Sequence, residues 1–282
     1  MKIIQGKKIA DKILTRIKKE IIESGLTPGL AVVLIGENKA SKIYVNLKEK
    51  AAKKVGIRFL LFQFSRKTKE EEIIKKIKEL NADKRINGII VQLPLPKGLN
   101  TEKIIGAIDP AKDVDGFHPE NLKKFFAGDG KIKPVFSLSI LKIIKSVIKN
   151  LAGKKAVIIA KSENFGRTML EILKREKVEG EIVFCREILE NNKEKIIKIK
   201  QANIVISACG MPNLLKKEMF QTGAIIADGG IKKIGKKVYG DIDRKIYASS
   251  QKGFVSSVPG GVGPVTVACL LENIWLLSRK NS

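Results

Sequence analysis

Short apolar runs alternate with lysine-rich stretches of helical period through most of the 282-residue chain. That alternation is what most restricts its fold. "LAVVLIG" (30–36) is an apolar run that stops at Gly36. "IRFLLFQF" (57–64) and "INGIIVQLPLP" (86–96) are two more, the last ending in a proline-stiffened loop. Between them, "NKASKIYVNLKEKAAKKVG" reads as a helix, with Asn38 as its cap and Gly56 at its stop. "TKEEEIIKKIKELN" opens with acids and continues with lysines, which suits a helix dipole. Upstream, Ile9, Ile13, Ile17 and Ile21 recur every four residues and predict a helix over 6–24. Strands alternating with helices imply parallel βαβ units, an α/β fold.

The alternation breaks at "DPAKDVDGFHPENLKKFFAGDGKIKP" (109–134), and long connections in compact domains are often functional. A second series follows, with Ser137 expected to cap a helix. It runs through "KAVIIA", a helix over 163–176, "EIVFC", a helix over 190–200, "NIVISAC" and "GAIIADGG". A last helix spans Pro264 to about Leu277. Two α/β units are expected, with a boundary near residue 136.

Composition narrows the class. Hydrophobic residues make up 44% of the chain, a globular proportion. No apolar run reaches the roughly 18 residues of a membrane span. The N-terminal stretch has no uninterrupted apolar core, so a secretory signal is not expected. Three widely spaced cysteines and one histidine suggest no zinc site and fit a reducing cytosol. The net charge of +26 raises the question of nucleic acid. The lysines, however, are spread along helix faces, without a basic tail and with little aromatic interleaving. A solvated surface is the better reading, and an anionic small substrate would gain from the same field.

Several residues have the chemistry of a site. "AVIIAKSENFGRTMLEIL" is strand, turn and helix, a turn able to present helix N-terminal amides to a phosphate. It lacks the full glycine fingerprint, since Ala160 takes the first place and only Gly166 remains, so an ordinary turn stays open. "SACGMP" and "ADGG" put small residues at the ends of two later strands, where α/β sheets bind ligands. Ser41, Tyr44 and Lys48 share one helix face. A tyrosine hydroxyl beside an ammonium can relay a proton, or the pair is a half-buried tyrosine with a snorkelling lysine. Gln92 sits where a strand meets "LPLP". Asp113 and Asp115 flank Val114, and a carboxylate there either accepts hydrogen bonds from a flat amino-heterocycle or caps a turn. His118, before a proline, reads as structural, and the cysteines as core thiols.

"SKIYVNLKEKAAKKVGI", "GIIVQLPLP", "DPAKDVDGFHPEN" and "VPGGVGPVT" occur in this order and at suitable spacings. With them the chain resembles, over essentially its whole length, the bifunctional methylenetetrahydrofolate dehydrogenase/cyclohydrolase family. The resemblance implies oxidation of 5,10-methylenetetrahydrofolate with a nicotinamide cofactor, then hydrolysis of the methenyl product to 10-formyltetrahydrofolate. It implies two α/β domains flanking a cleft. One is a folate-binding domain over 1–136, joined by the last helix at about 265–282. The other is a Rossmann-like dinucleotide domain over 137–264. It also implies a cytoplasmic homodimer acting on tetrahydrofolate derivatives, without membrane or nucleic acid and without a metal. Lys48 maps to the catalytic lysine, Tyr44 to the tyrosine packed on the pterin, Gln92 to the glutamine assisting the lysine, and Asp115 to the pterin anchor. Gly260, Gly261, Pro264 and Thr266 fall on the substrate side. Glycines there leave room for backbone to approach a ligand, and prolines stiffen the approach. Lys161, Ser162, Gly166, Arg186, Cys209, Gly210 and Ile231 fall on the cofactor side.

Departures from the family pattern cluster on that cofactor side. Pro-Cys-Thr-Pro reads "PVFS" (Pro134–Ser137). Gly-Arg-Ser-x-x-Val-Gly-x-Pro reads "AKSENFGRT", so Lys161, Phe165 and Thr168 stand for arginine, valine and proline. Cys-His-Ser reads "CRE" (Cys185–Glu187), and Asp-Val-Gly reads "DGG". Glu187 would hold a ribose 2′-hydroxyl and favour NAD, whereas Lys161 and Arg186 would pair with a 2′-phosphate. Two cations against one anion, with the family habit, point to NADP. Two other classes are weighed. A short-chain dehydrogenase also uses Tyr-x-x-x-Lys, but after its dinucleotide unit rather than before it. A basic nucleic-acid-binding protein would show steeply salt-dependent duplex binding.

Overall fold

The computed structural model describes residues 1–130, 132–235 and 237–279. In chain order the elements are β1 (Lys2–Ile4), α1 (Gly6–Ser24), β2 (Gly29–Ile35), α2 (Lys39–Val55), β3 (Arg58–Phe64), α3 (Glu70–Ala82), β4 (Gly88–Val91), α4 (Thr101–Ile105), α5 (Pro119–Ala127) and α6 (Val135–Lys145). They continue as β5 (Lys155–Ala160), α7 (Glu163–Arg175), β6 (Glu179–Phe184), α8 (Cys185–Leu189), α9 (Lys193–Gln201), β7 (Ile204–Ala208), β8 (Ile225–Asp228), β9 (Lys232–Ile234), β10 (Lys237–Tyr239), β11 (Phe254–Ser256) and α10 (Val262–Ser278).

The chain divides into two compact units, one of Asp11–Val135 with Val267–Ser282, the other of Met1–Ala10 with Phe136–Thr266. The first holds a three-stranded parallel sheet in the order β3-β2-β4. All seven residues of β2 are buried, as expected of a central strand covered on both faces. Its register with β3 runs from Gly29↔Arg58 to Ile35↔Phe64. Ala31, Val33, Ile35, Ile89 and Val91 pack with Ile73, Ile77 and Leu80 of α3 into one core cluster.

The second unit holds a six-stranded sheet in the order β1-β11-β8-β7-β5-β6, parallel throughout. From β5 the chain steps outward to β6, then crosses back over β5 to β7. That reversal is the switch point at which open α/β sheets bind ligands, beyond the carboxyl ends of the strands. The core on one face is Val157, Ile159, Val183, Val205 and Ile226 with Ile199 and Leu215.

The predicted parallel βαβ architecture is present in both units, and several details differ. Met1–Ala10 clusters with the second unit, because β1 pairs with β11, Lys2↔Phe254 to Ile4↔Ser256. The boundary expected near residue 136 puts this stretch in the first unit instead. Ser137 does not cap α6, which already begins at Val135; it lies inside the helix, its hydroxyl 3.0 Å from that of Thr168. The last helix begins at Val262, two residues before Pro264, and the expected end at 282 runs past the described residues. The helix expected over 190–200 is α9 at 193–201, preceded by the unanticipated α8.

Candidate active site

Helix α2 forms where its end signals put it. The Asn38 side chain accepts from the amides of Ala40 and Ser41 at 2.9 and 3.0 Å, and Gly56 closes the helix at φ 90°. Its inner face carries Ser41, Tyr44, Val45 and Lys48, of which Ser41 and Val45 are buried and Tyr44 and Lys48 half-buried. The Lys48 ammonium donates to Gln92 Oε1 at 2.9 Å. Gln92 is held by its own backbone, whose amide extends the sheet by donating to Val33 O at 2.9 Å, and its Nε2 donates to Leu93 O at 2.8 Å. The pairing of helix face and strand end that the sequence only suggested is therefore made.

The long connection places a third group. Residue 113 forms a parallel bridge with Ile89, Val114 is fully buried, and Asn273 Nδ2 donates to Val114 O at 2.9 Å. The two aspartates flanking Val114 then take opposite roles. Asp113 accepts from the amides of Gly116 and His118 and from Asn121 Nδ2, at 3.0, 2.8 and 3.0 Å, so it caps the turn. Asp115 is half-buried, and among the described residues no donor hydrogen-bonds its carboxylate. His118 caps α5, its Nδ1 accepting from the Glu120 amide at 3.1 Å, which is the structural role expected of it.

Lys48 and Asp115 feel each other's charge. Burial holds the Lys48 ammonium below its usual range, and Asp115 partly opposes this. Burial likewise raises the Asp115 carboxyl, with Lys48 pulling it down and Asp113 adding to the rise. In both groups desolvation outweighs the attraction, so the charged forms are disfavoured relative to water. The Tyr44 phenol is also raised by burial. A lysine with a depressed pKa, fixed by an amide oxygen and beside an open carboxylate, is equipped to take up and release a proton.

In the second unit a cavity of about 270 Å³ opens beyond the ends of β5 and β6, lined by Ala160, Lys161, Glu163, Phe184, Cys185 and Arg186. Ser162 stands at the N-terminus of α7, and its side chain makes no capping bond there. Glu187, one residue beyond the lining, is committed elsewhere. Its carboxylate accepts from the Phe184 amide at 2.7 Å, closing the first turn of α8. Gly166 is buried inside α7, and a Cβ there would lie 3.1 Å from Ile182 Cγ2, so packing of α7 on β6 favours a small residue at this position. Cys209 and Gly210 follow β7, and a Cβ on Gly210 would lie 3.6 Å from Ile231 O, which brings these loops together.

The glycine-proline loop is shaped from within. Gly260 has φ 98°, and a Cβ on Gly261 would lie 2.3 Å from Ser257 O. Gly6 abuts the Gly261 carbonyl so closely that its own Cβ would sit 1.9 Å from it. Thr266 spends its hydroxyl on Val262 O at 3.0 Å and on Ser139 Oγ at 2.9 Å. Backbone crowding inside this unit thus requires glycine at 6 and 261, and the positive φ favours it at 260.

The cofactor-side departures meet one another. Phe136 packs on Phe165 with ring centroids 5.1 Å apart, and Ser137 hydrogen-bonds Thr168. A Cβ on Gly229 would lie 2.8 Å from Phe136 Cζ. Phe136 thus occupies the space that a side chain at 229 would need. Gly229→Val is expected to cost about 1–3 kcal/mol by overpacking. Adding Phe136→Thr should recover part of it, since the Ser207 carbonyl, 3.2 Å from such a Cβ, stays in place. Denaturant unfolding of the two singles and the double gives the coupling. Additive effects would show the two positions to be independent.

Comparison with known proteins agrees along the whole chain. Residues 4–115 match the profile of the tetrahydrofolate dehydrogenase/cyclohydrolase catalytic domain, and residues 134–282 that of the tetrahydrofolate dehydrogenase/cyclohydrolase NAD(P)-binding domain. Bifunctional protein FolD of Geotalea daltonii is 40% identical over 276 residues, covering 96% of each chain. The bifunctional FolD structure from Campylobacter jejuni superposes with a TM-score of 0.91 at 34% identity, covering 100% of both chains. The Trypanosoma brucei FolD structure, a complex with NADP cofactor and inhibitor, gives a TM-score of 0.91 at 26% identity and covers 99% of this chain and 97% of that one.

Proposed function

The chain belongs to the tetrahydrofolate dehydrogenase/cyclohydrolase family, and from that premise we propose how its own residues carry the two reactions. It oxidises 5,10-methylenetetrahydrofolate to the methenyl form with NADP, then hydrolyses that product to 10-formyltetrahydrofolate. The observation that carries the assignment is the 2.9 Å bond from Lys48 to Gln92 next to the open carboxylate of Asp115.

When bound, the nicotinamide supplies the hydride acceptor. Asp115 takes two adjacent donors of the pterin edge, and Tyr44 covers the ring. Gln92 fixes the Lys48 nitrogen. In the hydrolysis, water adds to the cationic methenyl carbon and gives a proton to the Lys48 amine. The carbon–N5 bond then breaks, N5 takes the proton back, and the second water proton leaves to solvent. A substrate cation near Lys48 disfavours the ammonium further, which adds to the effect of burial.

The cavity fits a dinucleotide. Lys161 and Arg186 line it and the α7 N-terminus opens beside it, a cationic and amide-rich setting for phosphate. Glu187 is held by the Phe184 amide, and this supports NADP over NAD. Arg186→Ala should lower kcat/KM for NADP by about tenfold, the value of one charged hydrogen bond, and leave NAD nearly unchanged. Equal losses with both cofactors would remove Arg186 from 2′-phosphate recognition. The proposal as a whole is tested by assaying methylenetetrahydrofolate oxidation with each cofactor and methenyl decay without either.

The reading includes a cytoplasmic homodimer, as is usual in the family. Among the described residues no helix is long and apolar enough to cross a membrane, and the three cysteines are buried. Sedimentation equilibrium reads the oligomeric state.

A further inference from the structure

The carboxyl ends of β7 and β8 are held by two carboxylates that the proposed chemistry does not use. Asp241, fully buried, accepts from Ser207 Oγ and the Cys209 amide through Oδ2 and from the Met211 amide through Oδ1, each at 2.7 Å. Asp228, also buried, accepts from the amides of Gly230 and Asp241 through Oδ1 and from that of Ile242 through Oδ2, each at 3.1 Å. Glycines make the fit possible. A Cβ on Gly230 would lie 2.1 Å from Asp241 Cγ, and one on Gly240 would lie 2.0 Å from Asp228 Oδ2. "DGG" and "GDID" are therefore two halves of one arrangement.

Among the described residues no lysine or arginine pairs with either carboxylate. Burial, then the charge of Asp241, pushes the Asp228 carboxyl up to about 7. Two acids in a dry interior are costly, and their six hydrogen-bond donors offset that cost only if the geometry is kept. All three bonds of Asp241 go to the stretch Ser207–Met211. This stretch leaves β7 beside the crossover of the sheet, where ligands of such folds bind. Between the two fixed amides lies Gly210, at φ 67° and against the Ile231 carbonyl.

We propose that Asp241 is a positioning residue for the dinucleotide. It fixes the amides of Cys209 and Met211 and so sets the backbone of Cys209–Gly210 against the bound cofactor. The inference rests on the reading that residues 209, 210 and 231 face that cofactor. Asp228 supports it from behind, by holding the Asp241 amide.

The test is Asp241→Asn, which keeps the shape and replaces one acceptor oxygen by an NH2 group. Titration with NADP+, followed by calorimetry, should show binding weakened about tenfold, the effect of one lost charged hydrogen bond. Methenyl hydrolysis, measured without cofactor and carried by groups in the other unit, should stay within about twofold of wild type. Ser207→Ala removes a single donor and should weaken NADP+ binding by about threefold. It also decides the matter if Asp241→Asn does not fold. Unchanged NADP+ affinity in the folded variants overturns the inference, as does a parallel loss of hydrolysis and binding, which would mark a merely structural role. Wild-type protein that binds neither nicotinamide cofactor overturns the premise, and the inference with it.

Discussion

Replacing Lys48 by glutamine is expected to abolish methenyl hydrolysis almost completely while leaving measurable dehydrogenase activity. The two reactions ask different things of the site. Hydride transfer needs the two rings held together, which binding groups can still provide. Hydrolysis needs a water activated and a proton moved twice, work that the proposed mechanism gives to Lys48, which Gln92 holds in place. Loss of a positioned base costs about 10²–10⁴ in rate. Glutamine retains much of the length and a polar end, so substrate binding should suffer less than chemistry. The pH profile adds a sign. The free amine is the active form, and burial holds the Lys48 pKa below its usual value. Wild-type hydrolysis should therefore rise with pH and level off below the range of an ordinary lysine, whereas the variant shows only the background reaction. Both activities are assayed on the same preparation after circular dichroism confirms the fold. Hydrolysis persisting at the wild-type rate would remove Lys48 from the proton path.

How much of this could be read beforehand depends on the range of each signal. Asn38 and Gly56 bound α2 through contacts within a turn or so of themselves, so the sequence showed them. The Lys48–Gln92 bond joins residues 44 apart, and only the family resemblance suggested it. "DVD" is symmetric in sequence, and nothing local says which aspartate is spent on the turn. The answer came from Gly116, His118 and Asn121, which all donate to Asp113. Strand β1 is three residues long, too short for periodicity, and exists because β11 lies alongside it. Helix α8, five residues long, is illegible for a similar reason, and so is the bond by which Glu187 accepts from the Phe184 amide. The glycines of the loop over 258–266 are legible as small, but the close partners of Gly261, Gly6 and the Ser257 carbonyl, are fixed only by the fold.

Asp115→Ala should damage both activities together, by roughly 2–4 kcal/mol in transition-state binding, or about 30- to 1,000-fold. Both reactions need the pterin in the same place, and Asp115 is the flanking carboxylate left without a hydrogen-bond partner among the described residues. Its twin, Asp113, is buried and already accepts three hydrogen bonds within the turn, so it is not available to replace it. A half-buried acceptor with no internal donor pays desolvation in the free protein and recovers it when a ligand supplies donors, which concentrates the loss in folate binding. A second consequence distinguishes this from a loosened turn. Asp115 raises the pKa of Lys48, so removing it should lower that pKa further. The residual hydrolysis of the variant should then reach its plateau at lower pH than wild type, while its maximum falls. Asp115→Asn separates the two effects, because the amide keeps one acceptor but no charge. It should share the shift in pH profile and lose less affinity. Unchanged folate affinity and turnover in folded Asp115→Ala would mean that the carboxylate only shapes the loop.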